Sequence, residues 1–182
     1  MTAAWQQSST GPTADRVAAL AALIPVVETP RLRLRAPRIE DFETYIACLL
    51  DADDTPEETW LDFNQMVASW PLRGFGPWTI ETPDRRPIGL VPLDHEFGDP
   101  EPEIGWFLTP AVRGQGLATE AARAALTQIL GPMGFASIVS YIDVDNAASR
   151  AVAARLGGTL VTSGAHPHPD VLTHRYTAEV LQ

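Results

Sequence analysis

At the centre of the sequence stands Val112-Arg113-Gly114-Gln115-Gly116-Leu117-Ala118-Thr119-Glu120. Its two glycines allow the backbone to pass close to a ligand and to adopt angles that a side chain would hinder. The stretch opens an apolar, alanine-rich helix, whose first amides have no partner within the helix and lie at the positive end of its dipole. Such a loop is a ready site for a diphosphate, but an ordinary helix start has a similar composition. The flanking sequence is therefore needed to choose between these two interpretations.

The residues around this loop predict alternating strands and helices. Charged and apolar side chains alternate along residues 31–35, which is the period of a half-buried strand. Pro56 is well placed to begin a helix that carries a stripe of large apolar residues (Trp60, Phe63, Val67 and Trp70), which we expect in the core and not as the lining of a binding site. We predict strands at residues 31–35, 78–81, 87–93, 103–108, 138–142, 159–162 and 171–177, and helices at residues 14–24, 39–50, 56 onwards, 117–130 and 146–156. This order predicts one α/β (α+β) domain, with a mixed sheet covered by helices on both faces.

Composition limits the kinds of partner that the protein can have. The chain has 182 residues, 45% of them hydrophobic, which suits one ordinary globular domain with a sizeable core. Its formal net charge of −10 argues against nucleic acid or an anionic membrane as a partner. The charge is compatible with a cationic substrate, although acidic surfaces commonly serve solubility alone.

The amino-terminal region and the cysteine content indicate the compartment. Cys48 is the only cysteine, so no internal disulfide can form, and its apolar neighbours favour a small buried hydrophobe over a nucleophile. The apolar run at residues 17–27 is interrupted by Pro25 and is too short to span a bilayer. The first fifteen residues contain no Lys or Arg, unlike a signal peptide. We therefore expect a cytoplasmic protein with a disordered tail at residues 1–13, a short docked helix at 14–24, and one folded domain at 26–182 after an amino-terminal segment of 25 residues.

Several ordered motifs resemble one family. They are Glu28-Thr29-Pro30-Arg31-Leu32-Arg33-Leu34-Arg35 with Glu40-Asp41-Phe42, then Glu103-Ile104-Gly105-Trp106, then Arg113-Gly114-Gln115-Gly116-Leu117-Ala118, and finally Asp143-Val144-Asp145-Asn146-Ala147-Ala148-Ser149-Arg150 with Arg155-Leu156-Gly157. Together they resemble the GNAT superfamily of acyl-CoA N-acyltransferases, and most closely its RimJ/RimL-like branch. The resemblance covers about residues 26–180, and the glycine loop matches the superfamily's Q/R-x-x-G-x-G/A pattern.

The resemblance implies a mostly antiparallel, splayed central sheet that binds acetyl-CoA where its fourth and fifth strands part. The pantetheine arm would pair with the backbone at Phe107, Leu108 and Thr109. Amides of the glycine loop would hold the diphosphate. Asn146 would touch the pantetheine or sulfur end, or else serve as a plain helix cap. The implied ligand-binding residues are Phe107, Leu108, Thr109, Arg113, Gly114, Gln115, Gly116, Leu117, Ala118, Thr119 and Asn146.

Acyl transfer from a thioester to an amine needs a base for the amine, donors for the carbonyl oxygen and a proton for the departing thiolate. Glu103 is the first candidate base, because it lies on the strand that would carry the acyl end, although it could instead order a loop or pair with an arginine. Glu101 is the second candidate, followed by His95 and Glu96. The amides of Phe107 and Leu108 are candidate oxyanion donors.

The proton for the sulfur has no obvious donor. Many GNAT enzymes carry a tyrosine seven residues after the asparagine, and this chain has Ala153 there. Ser149 could donate to the sulfur, or its hydroxyl could simply bond to the first turn of its helix. Gly158 replaces a usual aromatic residue near the acyl end. Both departures leave open a rival in which the same fold is a non-catalytic CoA-binding or partner-binding module.

The remaining expectations concern metals and partners. His166 and His168 resemble a metal pair but have no third ligand at a tight spacing, so we interpret them as loop residues and predict no metal. The leading hypothesis is an N-acetyltransferase that moves an acetyl group from acetyl-CoA to a primary amine, on a protein N-terminus or a small molecule. A homodimer is possible from the resemblance alone.

Overall fold

The computed structural model describes residues 4–49, 55–162, 166 and 168–181 of the chain. The strands are Val27–Glu28 (β1), Arg33–Arg35 (β2), Trp78–Glu81 (β3), Pro87–Val91 (β4), Leu93–Asp94 (β5), Glu103–Ile104 (β6), Phe107–Leu108 (β7), Ser137–Asp143 (β8), Thr159–Leu160 (β9) and Val171–Thr177 (β10). The α-helices are Pro12–Ala21 (α1), Phe42–Cys48 (α2), Pro56–Arg73 (α3), Leu117–Leu130 (α4) and Ala147–Arg155 (α5). Short 3-10 helices lie at Ala4–Gln6, Ile39–Asp41, Pro110–Val112 and Ala178–Leu181.

The strands form two five-stranded sheets, in the orders β1-β2-β3-β4-β7 and β5-β6-β8-β10-β9. Between the described strands, β6 and β8 pair in parallel and the other pairings are antiparallel. The predicted mixed, mostly antiparallel α/β fold is therefore confirmed. Neighbouring residues of β4 point to opposite faces, because side chains alternate along a strand. Val91 enters the main core with α4 and α5, whereas Leu90 packs with α2 and α3.

Helix α3 begins and ends where local chemistry predicts. Thr55 and Glu58 form a reciprocal capping box around Pro56 at the start of α3, and Gly74 ends that helix in a left-handed conformation. The apolar residues of α4, from Leu117 to Leu130, fill the main core. The predicted helix at 39–50 starts differently, with a 3-10 turn before α2, and Leu50 lies outside the described residues. Cys48 is buried as predicted, and burial raises the pKa of its thiol to about 12.

The amino-terminal segment is more ordered than the sequence suggests. The expected tail at residues 1–13 includes the 3-10 turn Ala4–Gln6, where Trp5 packs edge-on against Phe42 and Trp60. Helix α1 begins at Pro12 and ends at Ala21 instead of spanning 14–24, and none of its residues is buried. Ile24 packs against the main core, so the segment is attached mainly at its two ends. None of the described helices is long and apolar enough to cross a lipid bilayer.

The single strand predicted at residues 103–108 is wrong, because the structure divides it into β6 and β7 in different sheets. The strand predicted at 87–93 divides opposite it, into β4 and β5. Pro92 stands at this division and has no amide to donate to a ladder. The Gly105 amide donates to the Pro92 carbonyl at 3.0 Å. A Cβ at Gly105 would lie only 2.9 Å from the Pro92 ring, so a pair of matched bends carries the chain from one sheet into the other.

Candidate active site

The two sheets separate at β6 and β7, and this separation opens a cleft. Glu103 of β6 pairs with Val139 of β8, and the Ser140 hydroxyl donates to the Ile104 carbonyl at 2.6 Å. Beyond that point β7 pairs with β4 and, among the described strands, with no other. The gap between β7 and β8 is the parting of neighbouring strands that the sequence resemblance implies.

A cavity of about 220 Å³ lies at this gap. One wall comes from α2 and α3, and the other comes from β6, β7, β8 and the start of α5. The lining residues are Tyr45, Asp62, Met66, Pro92, Asp94, Glu96, Glu103, Ile104, Gly105, Trp106, Phe107, Ser140, Tyr141, Ile142, Asp143, Asn146 and Ser149. The cavity therefore brings together Glu103, Glu96, Phe107, Asn146 and Ser149 of the residues selected from the sequence.

Glu103 has the environment of a general base that works near neutral pH. Burial raises the pKa of its carboxyl to about 7, a hydrogen bond from the Tyr141 amide opposes that rise, and the carboxylates of Asp99, Glu96 and Asp94 add to it. The Tyr141 amide donates to its Oε2 at 3.3 Å. A carboxylate with a pKa close to the ambient pH both accepts and releases a proton readily.

The other candidate bases are less well placed. Glu101 is held by the guanidinium of Arg175, at 2.7 Å from Nη1 to Oε2, and this hydrogen bond is the main reason that its pKa is lowered. His95 is engaged with the loop that it belongs to, since its Nε2 lies 3.0 Å from the Asp99 carbonyl. Glu96 lines the cavity, and its pKa is raised by burial and then by neighbouring carboxylates.

Asn146 and Ser149 meet at the start of α5. The Asn146 Oδ1 accepts a hydrogen bond from the Ser149 amide at 3.0 Å, so the side chain is a helix cap that also faces the cavity. The Trp106 indole donates to the Ser149 Oγ at 3.3 Å. This contact uses a lone pair of the oxygen, which leaves the hydroxyl proton available for another acceptor.

The two departures from the family pattern have a packing explanation. Ala153 is fully buried in the main core and does not face the cavity. A Cβ at Gly158 would lie 2.7 Å from the ring of Tyr176. Tyr176 therefore fills the space beside Gly158, and the ring of another aromatic residue could not be added there without displacing it.

The glycine loop meets α4 with its amides available. Gly114 and Gly116 both have a φ of +76°, the left-handed region that favours glycine. The Glu120 amide donates to the Gly116 carbonyl at 3.1 Å, while the amides of residues 114–119 donate to no acceptor within the described chain. A Cβ at Gly114 would meet nothing within 4 Å. Open space above a row of available amides fits the diphosphate of a coenzyme A.

An ion pair fixes this loop to the first strands. Arg31 donates to Glu120 through Nε at 2.6 Å and to the Gln115 carbonyl through Nη1 at 3.2 Å. The Thr29 hydroxyl donates to the Glu120 Oε1 at 2.6 Å. The opening motif of the sequence and the glycine loop are thus parts of one contact, although about ninety residues separate them.

The Arg113 side chain donates hydrogen bonds to backbone carbonyls, which is not the arrangement expected of an anion-binding side chain. Its Nε donates to the Leu108 carbonyl at 3.0 Å and its Nη2 donates to the Cys48 carbonyl at 2.8 Å. Its backbone amide donates to Pro110 at 3.3 Å. Arg113 therefore connects the end of β7 to the end of α2, and the loop amides after it are the better anion donors.

The two candidate oxyanion donors face opposite sides of β7. The Thr109 amide donates to the Ile88 carbonyl of β4 at 2.9 Å. Since amides of an antiparallel strand alternate in direction, the Phe107 amide also faces β4 and the Leu108 amide faces the gap. Leu108 is thus the donor available on the open side, and Phe107 contributes its ring to the cavity.

Sequence reasoning missed the wall that α2 and α3 contribute. Tyr45, Asp62 and Met66 line the cavity, and the Tyr45 hydroxyl donates to the Asp62 carboxylate. Nothing local marks these residues, because only the packing of two helices brings them to the strands. Trp106 was within the quoted strand motif, and the bend at Gly105 could have indicated that its side chain leaves the sheet.

The two loop histidines lie near the cavity. The His166 ring packs 4.9 Å from the ring of Tyr141, and its Nε2 is 3.7 Å from the Asp99 carboxylate. The His168 amide donates to the His166 Nδ1 at 3.1 Å. The ring of His166 therefore packs against β8, and His168 contacts His166 through its backbone amide.

Known proteins share this fold. A family model described as an acetyltransferase (GNAT) domain matches residues 31–159. The chain is 32% identical to a solved acetyltransferase from Agrobacterium tumefaciens, with a TM-score of 0.77 over 84% of this chain and 94% of that one.

Two further solved structures show a similar fold at lower identity. A RimL ribosomal-protein acetyltransferase in complex with coenzyme A has 20% identity and a TM-score of 0.66, covering 86% of this chain and 99% of its own. A ribosomal-protein alanine acetyltransferase from Vibrio fischeri has 14% identity and a TM-score of 0.66, covering 87% and 100%.

Proposed function

The chain belongs to the GNAT acetyltransferase family, and from this premise we propose that it transfers an acetyl group from acetyl-CoA to the nitrogen of a primary amine. The observation that supports the amine chemistry most directly is the Glu103 carboxyl, which combines a pKa of about 7 with a position at the parting strands. An alkylammonium ion must lose a proton before it can attack. A buried carboxylate supplies that base at neutral pH.

The glycine loop and β7 are proposed to hold acetyl-CoA, which supplies the acetyl group as a thioester. The amides of residues 114–119 would bind its diphosphate, and the open side of β7 would pair with its pantetheine arm. The Arg31–Glu120 ion pair keeps the loop in position. No metal enters this proposal.

A residue of this chain is placed to assist each step of the acetyl transfer. Glu103 takes a proton from the ammonium group, directly or through a water molecule. The Leu108 amide stabilises the negative charge that develops on the carbonyl oxygen as the new C–N bond forms. As the C–S bond breaks, the new amide nitrogen loses its extra proton. The Ser149 hydroxyl, oriented by Trp106, is placed to give its own proton to the departing sulfur and to take the one from the nitrogen in exchange.

A rival proposal is that the protein has this fold but does not catalyse acetyl transfer. Ala153 offers no phenol to the cavity, so a degenerate module that binds CoA or a partner would account for the same fold. Turnover of acetyl-CoA with an amine distinguishes the enzyme from the non-catalytic module.

A cytoplasmic setting is part of the leading proposal, since the single cysteine is buried and no internal disulfide is possible.

The test is calorimetric titration with acetyl-CoA, followed by thiol release in the presence of a panel of primary amines. We expect saturable binding and amine-dependent release of thiol. Gly116→Trp should abolish binding, because its side chain would occupy the open space above the loop amides. Because the chain contains no lysine, acetylation of the protein on its own lysines cannot contribute to thiol release.

Gly134→Trp is the matched control. Gly134 has the same φ of +76° and also has open space around it, but it lies beyond the other end of α4. It should bind acetyl-CoA as well as the parent chain does. Binding without thiol release from any amine would favour the rival, and no binding by the folded parent chain would contradict both.

A further inference from the structure

We propose that the acceptor of this site is a small aliphatic amine that carries a second positive charge, as a diamine or polyamine does. The inference rests on the proposed function, because it names the substrate class of the same cavity. The observation behind it is the charge of the cavity wall. Five lining side chains are carboxylates, and none of the lining residues in the described chain is basic: the acids are Asp62, Asp94, Glu96, Glu103 and Asp143.

These carboxylates are not neutralised by neighbouring cations. Asp94 is buried and accepts hydrogen bonds from the Ser69 hydroxyl at 2.9 Å and from the His95 amide at 2.8 Å. Asp62 accepts from the Tyr45 hydroxyl. Such neutral donors stabilise a negative charge without cancelling it. Within the described residues, none of the lining carboxylates takes part in an ion pair.

The nearby acids that do have cationic partners lie outside the cavity wall. Glu101, in the same loop, is paired with Arg175. Glu120 and Glu81 are paired with Arg31 and Arg35. Several acids of the described chain are thus paired with arginine, whereas the acids that face the cavity are left with charge to offer a ligand.

The unpaired charges repel one another. Glu96 has a raised pKa, first because of burial and then because of Asp62, Asp99 and Asp94. The same loop carboxylates contribute to the raised pKa of Glu103. A bound dication would relieve this repulsion, whereas a monoamine that loses its single charge during the reaction would not.

The positions of the acids suit two charges on one short chain. Glu103 lies on β6 beside the gap, where the reacting nitrogen must be. Asp62 belongs to α3, on the opposite wall, and Glu96 belongs to the loop after β5, so the acids reach the ligand from different elements. Tyr45 and Trp106 add aromatic surface for a methylene chain or an ammonium group. A volume of about 220 Å³ is small for a ligand pocket, which favours a small aliphatic acceptor.

The experiment compares 1,5-diaminopentane with pentylamine, which has the same chain and one charge fewer. Binding of each amine to the protein with CoA is measured by titration calorimetry, and turnover with acetyl-CoA is measured by thiol release. We expect the diamine to bind at least about tenfold more tightly at low ionic strength, and we expect this preference to shrink in high salt.

Glu96→Gln and Asp62→Asn should each weaken diamine binding more than pentylamine binding, and should therefore reduce the diamine preference several-fold. Glu57→Gln is the matched control, since Glu57 is an exposed acid of the same helix as Asp62 and does not line the cavity. The Glu57→Gln variant should keep the full preference for the diamine over pentylamine.

The possible results separate this inference from the proposed function. Equal binding of the two amines, or a preference that both cavity variants retain, would overturn the inference even if both amines were acetylated. A diamine preference that Glu96→Gln removes, without thiol release from any amine, would support the binding class and overturn the acetyltransferase proposal.

Discussion

At the scale of single residues, Glu103 shows how burial changes the chemistry of an ordinary carboxyl. On a solvent-exposed loop its pKa would lie near 4.5, and it would be a weak base at neutral pH. In the gap between the strands, burial raises the pKa to about 7, and the nearest protein donor is a single backbone amide. The same side chain thereby becomes able to take a proton from an amine near pH 7.

Glu103→Gln should reduce kcat/KM for an amine by about 100-fold or more, the usual range for loss of a general base. In the parent chain, kcat/KM should rise with pH through about 7, as the carboxyl ionises. The variant should lose that rise and keep its affinity for acetyl-CoA. Glu101→Gln removes a nearby acid that is paired with Arg175, and it should keep the rise. An unchanged rate for Glu103→Gln would remove this residue from the role of base.

The pH dependence of the free energy of unfolding gives an independent measure of the pKa of Glu103. Because its pKa is raised on folding, the stabilisation due to the protonated form is complete below about pH 4.5 and is lost as the pH rises through about 7. Above pH 7, Glu103→Gln should therefore be more stable than the parent chain, by up to about 3 kcal/mol. Urea denaturation at pH 5 and pH 8 measures this difference. A stability difference between the two chains that does not change with pH would contradict the raised pKa.

At the scale of elements, the paired bends at Pro92 and Gly105 create the cavity. They transfer the chain from one sheet to the other, so that β7 stays with β4 while β6 stays with β8. The gap then exposes the open side of β7 to a ligand. The distance between β7 and β4 determines the position of the Leu108 amide. Gly89 allows the two strands to come close, because it has no side chain.

Gly89→Ala should disturb this junction. A Cβ at Gly89 would lie 2.1 Å from the Phe107 carbonyl oxygen and 2.8 Å from the Leu108 side chain. We expect the free energy of unfolding to fall by about 2 kcal/mol or more, as in other overpacked sites. Gly134→Ala has open space around it and should cost only about 1 kcal/mol from backbone conformation. Equal urea midpoints for the two variants would show that β4 and β7 are not in tight contact.

At the scale of the whole molecule, aromatic contacts connect the amino terminus to the cavity. Trp5 packs on Phe42 and Trp60, and Tyr45 packs edge-on against Phe107, with ring centroids 5.7 Å apart. Phe63 joins these two groups, because it packs against Phe42 and Tyr45. The segment before residue 26 therefore supports α2 and α3, which form one wall of the site. The separation of residues 1–25 from the domain stays a prediction, as does a homodimer.

Trp5→Ala should loosen that wall. The side chain is half exposed, so we expect a loss of stability of about 1 kcal/mol, less than for a fully buried tryptophan. We also expect a several-fold higher KM for the amine at an unchanged affinity for acetyl-CoA, since the glycine loop lies elsewhere. Leu23 lies in the same segment and is 79% exposed, so Leu23→Ala should change neither the stability nor the KM for the amine. An unchanged KM in Trp5→Ala would show that the amino-terminal turn does not support the acceptor wall.

The sequence by itself determined the local structure and the family. Periodicity located α3, α4, α5 and β10, and the Asn146 cap and the glycine loop lie where the motifs predicted. Such features depend on contacts within a few residues, so a short stretch of sequence contains the information that specifies them. The choice of Glu103 as the first candidate base came from its place on a strand, and it remains a prediction for catalysis.

Only the tertiary structure decided which side chains meet. The bend that divides residues 103–108 depends on Pro92, which lies between β4 and β5, and the partners of Arg113 include a carbonyl 65 residues away. Asp62 joins the cavity through the packing of α2 and α3. The pKa of Glu103 depends on how much water and how many charges surround it, and these are set by residues distant in the chain. Burial and long-range contacts are properties of the folded chain, and for that reason local patterns could not show that Asp62 and Asp143 share one cavity with the acids of residues 94–103.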